Sequence, residues 1–135
     1  LYSDCTIAHI RGSGLNDKAI VIDNNAHPFL FPEASIALAH NGTLYGLNAI
    51  KADLSQIIHP KYLHAIRGTT DSEWIYATLL SHLPSVKNRQ YRATEVVKAL
   101  QDTYQTIRRY RKKRQVTTPS PVNLFISAFT RFKFL

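Results

Sequence analysis

The sequence predicts a layered fold of mixed helices and strands, α/β or α+β, with strands toward both ends and helices between them. Three observations predict it. Short apolar runs separated by turn residues precede Tyr45, apolar residues recur at helical spacing from Leu47 to Ile107, and alternation returns from Val122 onward. With 135 residues, 44% hydrophobic and 19% charged, the chain is one ordinary domain or part of one, and too short for two separate cores.

Taken in order, Cys5 to Ile10 reads as a buried strand that delivers Arg11 at its end. Gly12, Ser13, Gly14, Asn16 and Asp17 supply turn chemistry for a loop, and a short strand at Ala19 to Ile22 follows. His27-Pro28-Phe29 cannot lie inside a helix, because Pro28 restricts the residue before it, so it belongs to an ordered loop. Ile36 to His40 reads as a strand, and Asn41-Gly42 before Thr43-Leu44-Tyr45 as the tight turn of a β-hairpin.

Leu47, Ile50, Leu54, Ile57 and Ile58 then fall on one helical face, with the helix ending near His59-Pro60. Thr70 and Glu73 have capping-box spacing and start a second helix, which buries Trp74, Ile75, Thr78, Leu79 and Leu83 and stops at Pro84. Val96, Val97, Leu100, Tyr104 and Ile107 mark a third helix over about 92–111, whose basic end complements its dipole. Thr117 to Pro121 is a linker, and Val122 to Leu135 accommodates one or two strands.

The net charge is +8, but it is unevenly placed. Residues 1–85 carry five Lys/Arg against seven Asp/Glu, and residues 86–135 carry twelve against two. Much of the basicity lies in Arg108, Arg109, Arg111, Lys112, Lys113 and Arg114. A basic helix end is more often a solvated face than a nucleic-acid site, and only Tyr104 and Tyr110 stand nearby for base stacking.

No apolar run approaches the ~20 residues that span a bilayer, so no membrane is expected as a partner. The start of the chain lacks the order of a signal peptide, and the single cysteine, Cys5, has neither a disulfide nor a metal-finger partner. A cytoplasmic setting is the expectation. No metal-ligand spacing is present, so neither a metal nor a cofactor is expected.

Four short motifs stand out together: Ala8-His9-Ile10-Arg11, Asn25-Ala26-His27-Pro28-Phe29, Ala39-His40-Asn41-Gly42 and Gly68-Thr69-Thr70-Asp71-Ser72-Glu73. Their order and spacing resemble the class II glutamine amidotransferases, which are N-terminal-nucleophile hydrolases, and within them the stand-alone type. The resemblance is strong over about residues 6–83 and fainter from Pro121 to Lys133, where the Asp-Gly turn usual between two terminal strands is missing. Gly14 stands where many members have Thr. The implied fold is α+β, a four-layer αββα sandwich, of which residues 1–135 form a partial glutamine amidotransferase domain.

The resemblance also implies roles. Arg11 would clamp the α-carboxylate of glutamine, a task suited to a guanidinium fork, although an isolated Arg is more often a salt-bridge partner. Asp71 would pair with the α-ammonium, although helix capping alone explains its local sequence. Asn41 and Gly42 would donate to the tetrahedral oxyanion, the hairpin turn being the plain alternative. His27 would shape the glutamine pocket, while His9 and His40, on strand-like segments, read as hydrogen-bonded core histidines.

Family chemistry depends on a cysteine at the mature N-terminus, with its thiolate as nucleophile and its α-amino group as base. The chain begins at Leu1, and Cys5 has a peptide nitrogen in place of that amine. The expectation is therefore a fragment that lacks the nucleophile and the first strands of the sandwich, inactive and poorly soluble alone. The implied substrate is glutamine or a related amide, with ammonia or an acceptor amine as its destination and a synthase or peptidase subunit as a partner. A non-catalytic remnant that binds an amino acid, and a basic nucleic-acid-binding module, are the competing readings.

Overall fold

A computed structural model describes residues 6–10, 22–85 and 90–129. The architecture is α+β. Among the described residues two antiparallel strands, β1 (Ile36–Gly42) and β2 (Val122–Ala128), enclose in sequence the helices α1 (Leu47–Ser55), α2 (Pro60–Leu63), α3 (Asp71–His82) and α4 (Ala93–Lys113). These four α-helices lie between the two strands in the chain, so pairing the strands brings their ends together.

β1 is an unusual strand in composition: Ile36 and Leu38 are fully buried on one side, and Ala37 and Ala39 are nearly so on the other. Burial on both faces favours a continuous apolar run over alternation. The register sets Ala39 opposite Phe125, Asn41 opposite Asn123 and Gly42 opposite Val122. Phe29 adds an isolated bridge to Leu38, with N–H to O distances of 2.7 and 3.1 Å in the two directions.

This register corrects the hairpin expected at Asn41-Gly42. Both residues belong to β1, and its partner strand lies some 80 residues onward. The chain turns only after Gly42, and Gly46 caps α1 at φ 75°. A Cβ at Gly46 would stand 2.5 Å from a Val116 methyl carbon. The asparagine-glycine pair tolerates a tight turn, but pairing with β2 overrides that local preference.

α3 is the central helix. Ile75, Tyr76, Ala77, Thr78, Leu79 and Leu80 are all buried, as suits a helix covered on every side. Thr78 Oγ1 donates to the Trp74 carbonyl at 2.7 Å, and Tyr76 donates its hydroxyl to the carbonyl of Ile36. The expected boundaries hold at Thr70 and near Pro84, whereas Trp74 is only half-buried. Ile36, Leu38, Ile50, Leu54, Ile75 and Leu79 form the centre of the core, each contributing roughly 1.5–3 kcal/mol by leaving water.

Three other expectations need correction. The first predicted helix ends at Ser55, and Pro60 opens the separate short helix α2. α4 packs through Ala99, Thr103, Thr106 and Ile107, leaving Val97 and Tyr104 exposed. Its contact face is thus rotated toward small and hydroxylated residues, because Ala99 and Thr103 allow the closest approach to α3. Finally, residues 6–10 form no strand: Ile10 is 94% exposed, and the segment's bond to β1 runs from a side chain, not a backbone ladder.

β2 occupies the first part of the predicted C-terminal strand region. The second strand there, the strand at Ala19 and the Arg11 loop lie outside the described residues. No helix among the described residues is long and apolar enough to cross a membrane.

The basic end of α4 is partly absorbed by structure. Lys113 Nζ lies 2.9 Å and Arg114 Nε 2.7 Å from the two oxygens of Asp53 on α1. Hydrogen bonds from Arg114 first, then from Lys113, hold the Asp53 carboxyl below its usual range.

Candidate functional site

An open cleft of about 600 Å³ lies where β1 ends, α1 begins and α3 begins. Asn41 and Gly42 reach it from the last two positions of β1, Asp71 and Ser72 from the first turn of α3, and His9 and His27 from the N-terminal loops. Four of the five residues singled out for the site therefore converge: His27, Asn41, Gly42 and Asp71. Arg11 lies outside the described residues.

Asp71 is fixed by two independent devices. Thr70 caps α3 by accepting from the Glu73 N–H at 3.4 Å, which places Asp71 at the positive end of the helix. Across the cleft the Leu44 N–H donates to Asp71 Oδ2 at 2.5 Å. The other oxygen, Oδ1, lies 3.4 Å from the Ser72 hydroxyl and 3.9 Å from His40 Nδ1. With its side chain 21% exposed, Asp71 is anchored yet open to a ligand.

His40 connects the two halves of the site. It is buried, and its Nδ1 lies 2.9 Å from Ser72 Oγ. If the single Ser72 proton points to Asp71, Nδ1–H must donate to Ser72 Oγ, leaving Nε2 as the bare acceptor. That Nε2 is buried with no hydrogen-bond partner among the described residues. Burial most of all, with the charge of His9 adding and that of Asp71 opposing, lowers the His40 pKa below its ordinary value.

The histidines are stacked as well as bonded. His9 Nε2 donates to the His40 carbonyl at 3.0 Å, which requires the proton on that nitrogen. Its ring packs on His27 at a centroid distance of 4.1 Å, and His27 meets Phe29 edge-on at 4.6 Å. Both His9 and His40 are hydrogen-bonded as expected, but only His40 is a buried strand residue; His9 is half-buried in a segment that forms no strand. The described residues hold no group of His, Cys, Asp and Glu able to bind a metal.

Gly42 is the tightest point. Its φ is 148°, and a Cβ there would stand 2.0 Å from the Pro121 carbonyl oxygen. No other residue type fits without displacing the linker that enters β2. The same linker is pinned by the Thr43 N–H to Pro121 at 2.9 Å and by the Tyr45 N–H to Ser120 Oγ at 2.9 Å. Asn41, next in the chain, is exposed at the cleft.

Sequence reasoning missed the supports of this site. Asn25 is buried and grips Thr69 twice, accepting from its N–H at 2.9 Å and donating to its hydroxyl at 3.1 Å. Glu73 does not close the expected capping box on Thr70's backbone. Its Oε1 accepts instead from the Arg67 and Gly68 N–H groups, each at 2.9 Å. Both residues sit inside motifs already noted, but their partners, Thr69 far along the chain for Asn25 and the loop just before α3 for Glu73, are loop positions that periodicity does not reveal.

Comparison with known proteins gives the family of the sequence. The sequence model of the class II glutamine amidotransferases matches residues 1–116. The probable glutamine amidotransferase DUG3 of Saccharomyces cerevisiae is 36% identical over 81 residues, which is 60% of this chain and 21% of the yeast protein. Protein MJ1515 of Methanocaldococcus jannaschii is 36% identical over 83 residues, 60% of this chain and 20% of that protein. The matched part thus spans about a fifth of the length of these curated relatives.

Among solved structures, a glutamine aminotransferase class-II domain protein from Silicibacter pomeroyi aligns with 78% of this chain and 44% of its own, at a TM-score of 0.47 and 22% identity. The family match covers well over half of the sequence and includes the four motifs whose residues meet at the cleft. The chain belongs to the class II glutamine amidotransferases.

Proposed function

We propose that the complete protein hydrolyses the side-chain amide of glutamine, and that the cleft at the end of β1 is its glutamine site. The observation that carries this reading is the meeting of Asn41 and Gly42 with Asp71, some 30 residues apart in the chain, around one open cavity. Asp71 receives the α-ammonium and Arg11 the α-carboxylate. Asn41, through its side-chain amide, and Gly42, through its N–H, stabilise the oxyanion, while His27 shapes the wall.

In this reading a cysteine at the mature N-terminus supplies the thiolate. It attacks the amide carbon, its own α-amino group carries the thiol proton to the leaving ammonia, and water then releases glutamate from the thioester. Asn41 and Gly42 are asked to favour the tetrahedral state over the planar amide. The αββα sandwich belongs to the same proposal, with further strands covering the sheet face that presents Phe125, which is 65% exposed.

The experiment is to determine the N-terminal residue and intact mass of the native protein, then assay it for glutaminase activity. A cysteine-headed protein that releases ammonia from glutamine, and loses that activity in an Asn41→Ala variant, supports the proposal. A native protein without an N-terminal cysteine that still binds an amino acid would instead make the site a non-catalytic one.

A further inference from the structure

A second cavity, of about 430 Å³, lies between α3, α4 and the start of β2, within the size range of small-molecule sites. Leu44 is the residue it shares with the glutamine cleft among the described residues. Its floor is apolar: Leu44, Ile75 and Ile107 are buried, and Val122 is half-buried. Arg108 and Arg111, three positions apart on α4 and so on one face, also line it. No carboxylate lines it among the described residues.

The two arginines differ from Lys113 and Arg114 of the same run. Lys113 and Arg114 are neutralised by Asp53, whereas neither Arg108 nor Arg111 forms an ion pair with a described residue. Arg111 donates one Nη to the Thr118 carbonyl, but its Nε is buried with no hydrogen-bond partner among the described residues. A buried guanidinium donor without an acceptor is costly, and a carboxylate fits the fork in shape and charge. Tyr104, exposed on α4, forms part of the wall.

We propose that this cavity binds a small amphipathic carboxylate, with its hydrocarbon body on Ile75, Ile107 and Val122 and its carboxylate between the guanidinium groups of Arg108 and Arg111. The apolar floor selects against a sugar-phosphate chain, which would leave its polar groups unpaired there. The site is distinct from the glutamine cleft and does not depend on amide hydrolysis.

The test is calorimetric titration of the complete protein with octanoate, and with octanol as its uncharged counterpart. Arg108 is exposed, so Arg108→Gln removes one guanidinium without touching the core, and circular dichroism verifies its fold. Octanoate is expected to bind at least about tenfold more tightly than octanol, and Arg108→Gln to weaken octanoate by about tenfold. Backbone amide shifts should centre on Leu44, Ile75 and Ile107. Failure of the folded chain to bind octanoate at millimolar concentration overturns the proposal. So would equal binding of octanol, an indifferent Arg108→Gln variant, or shifts centred elsewhere.

Discussion

The Nδ1 of His40 lies 2.9 Å from the hydroxyl of Ser72, joining the strand that presents Asn41 and Gly42 to the helix that presents Asp71. This buried bond ties the β1 side of the cleft to the α3 side. Ser72→Ala leaves a buried ring nitrogen without its partner and should cost about 1–3 kcal/mol in urea unfolding. A variant as stable as the parent would remove the bond from the account of how the site is held.

Acid should weaken the fold through His40 and His82, both lowered from the ordinary 6.5 chiefly by burial. Asp71 opposes the shift of His40 and His9 adds to it. Asp102 opposes that of His82, while Lys98 and Arg109 add to it. The folded chain takes up fewer protons than the unfolded chain just below about pH 6.5. Stability is therefore complete above that value and is lost as pH falls toward the lowered pKa values. Urea midpoints at about pH 7.5 and about pH 5.5 should differ in that direction, and His40→Gln should flatten the dependence.

Asn41 separates stability from catalysis. It is exposed at the end of β1, so Asn41→Ala should change folding stability by no more than about 0.5 kcal/mol. In its proposed role as oxyanion donor, its loss should nevertheless lower kcat for glutamine hydrolysis by about 100- to 1000-fold. A loss confined to KM would assign Asn41 to ground-state binding instead.

Gly42→Ala should fail structurally. The substituent would meet the Pro121 carbonyl at 2.0 Å, and φ of 148° is itself unfavourable for alanine. Destabilisation above about 2 kcal/mol is expected, with broken pairing at the Gly42–Val122 end of the sheet visible in hydrogen exchange. A well-folded Gly42→Ala protein would show that the linker at Pro121 can move aside.

Asp71→Asn retains an oxygen to accept from the Leu44 N–H, so the cleft should keep its shape. What it loses is the charge proposed to face the substrate ammonium. Steady-state kinetics should show KM for glutamine raised by about ten- to a hundredfold with kcat much less affected. An equal fall in kcat at unchanged KM would contradict the ammonium assignment.

The sequence by itself determined that α1, α3 and α4 exist, because their signals are local, but not the short α2 opened by Pro60 or the face that α4 buries. Thr70 and Glu73 mark the start of α3 and the apolar period carries it to His82, while α4 is written from Ala93 to Lys113. It also determined the family, since four motifs in fixed order survive without any knowledge of their contacts. Only the tertiary structure decided that Asn41-Gly42 ends a strand and does not make a turn, because the partner is β2 and no local rule reaches that far. It likewise decided that Asn25, His40, Leu44 and Glu73 support the cleft, each through a bond to a loop or helix elsewhere in the chain. Turn propensity is worth little beside a paired strand with both faces buried, so at β1 the long-range contacts win.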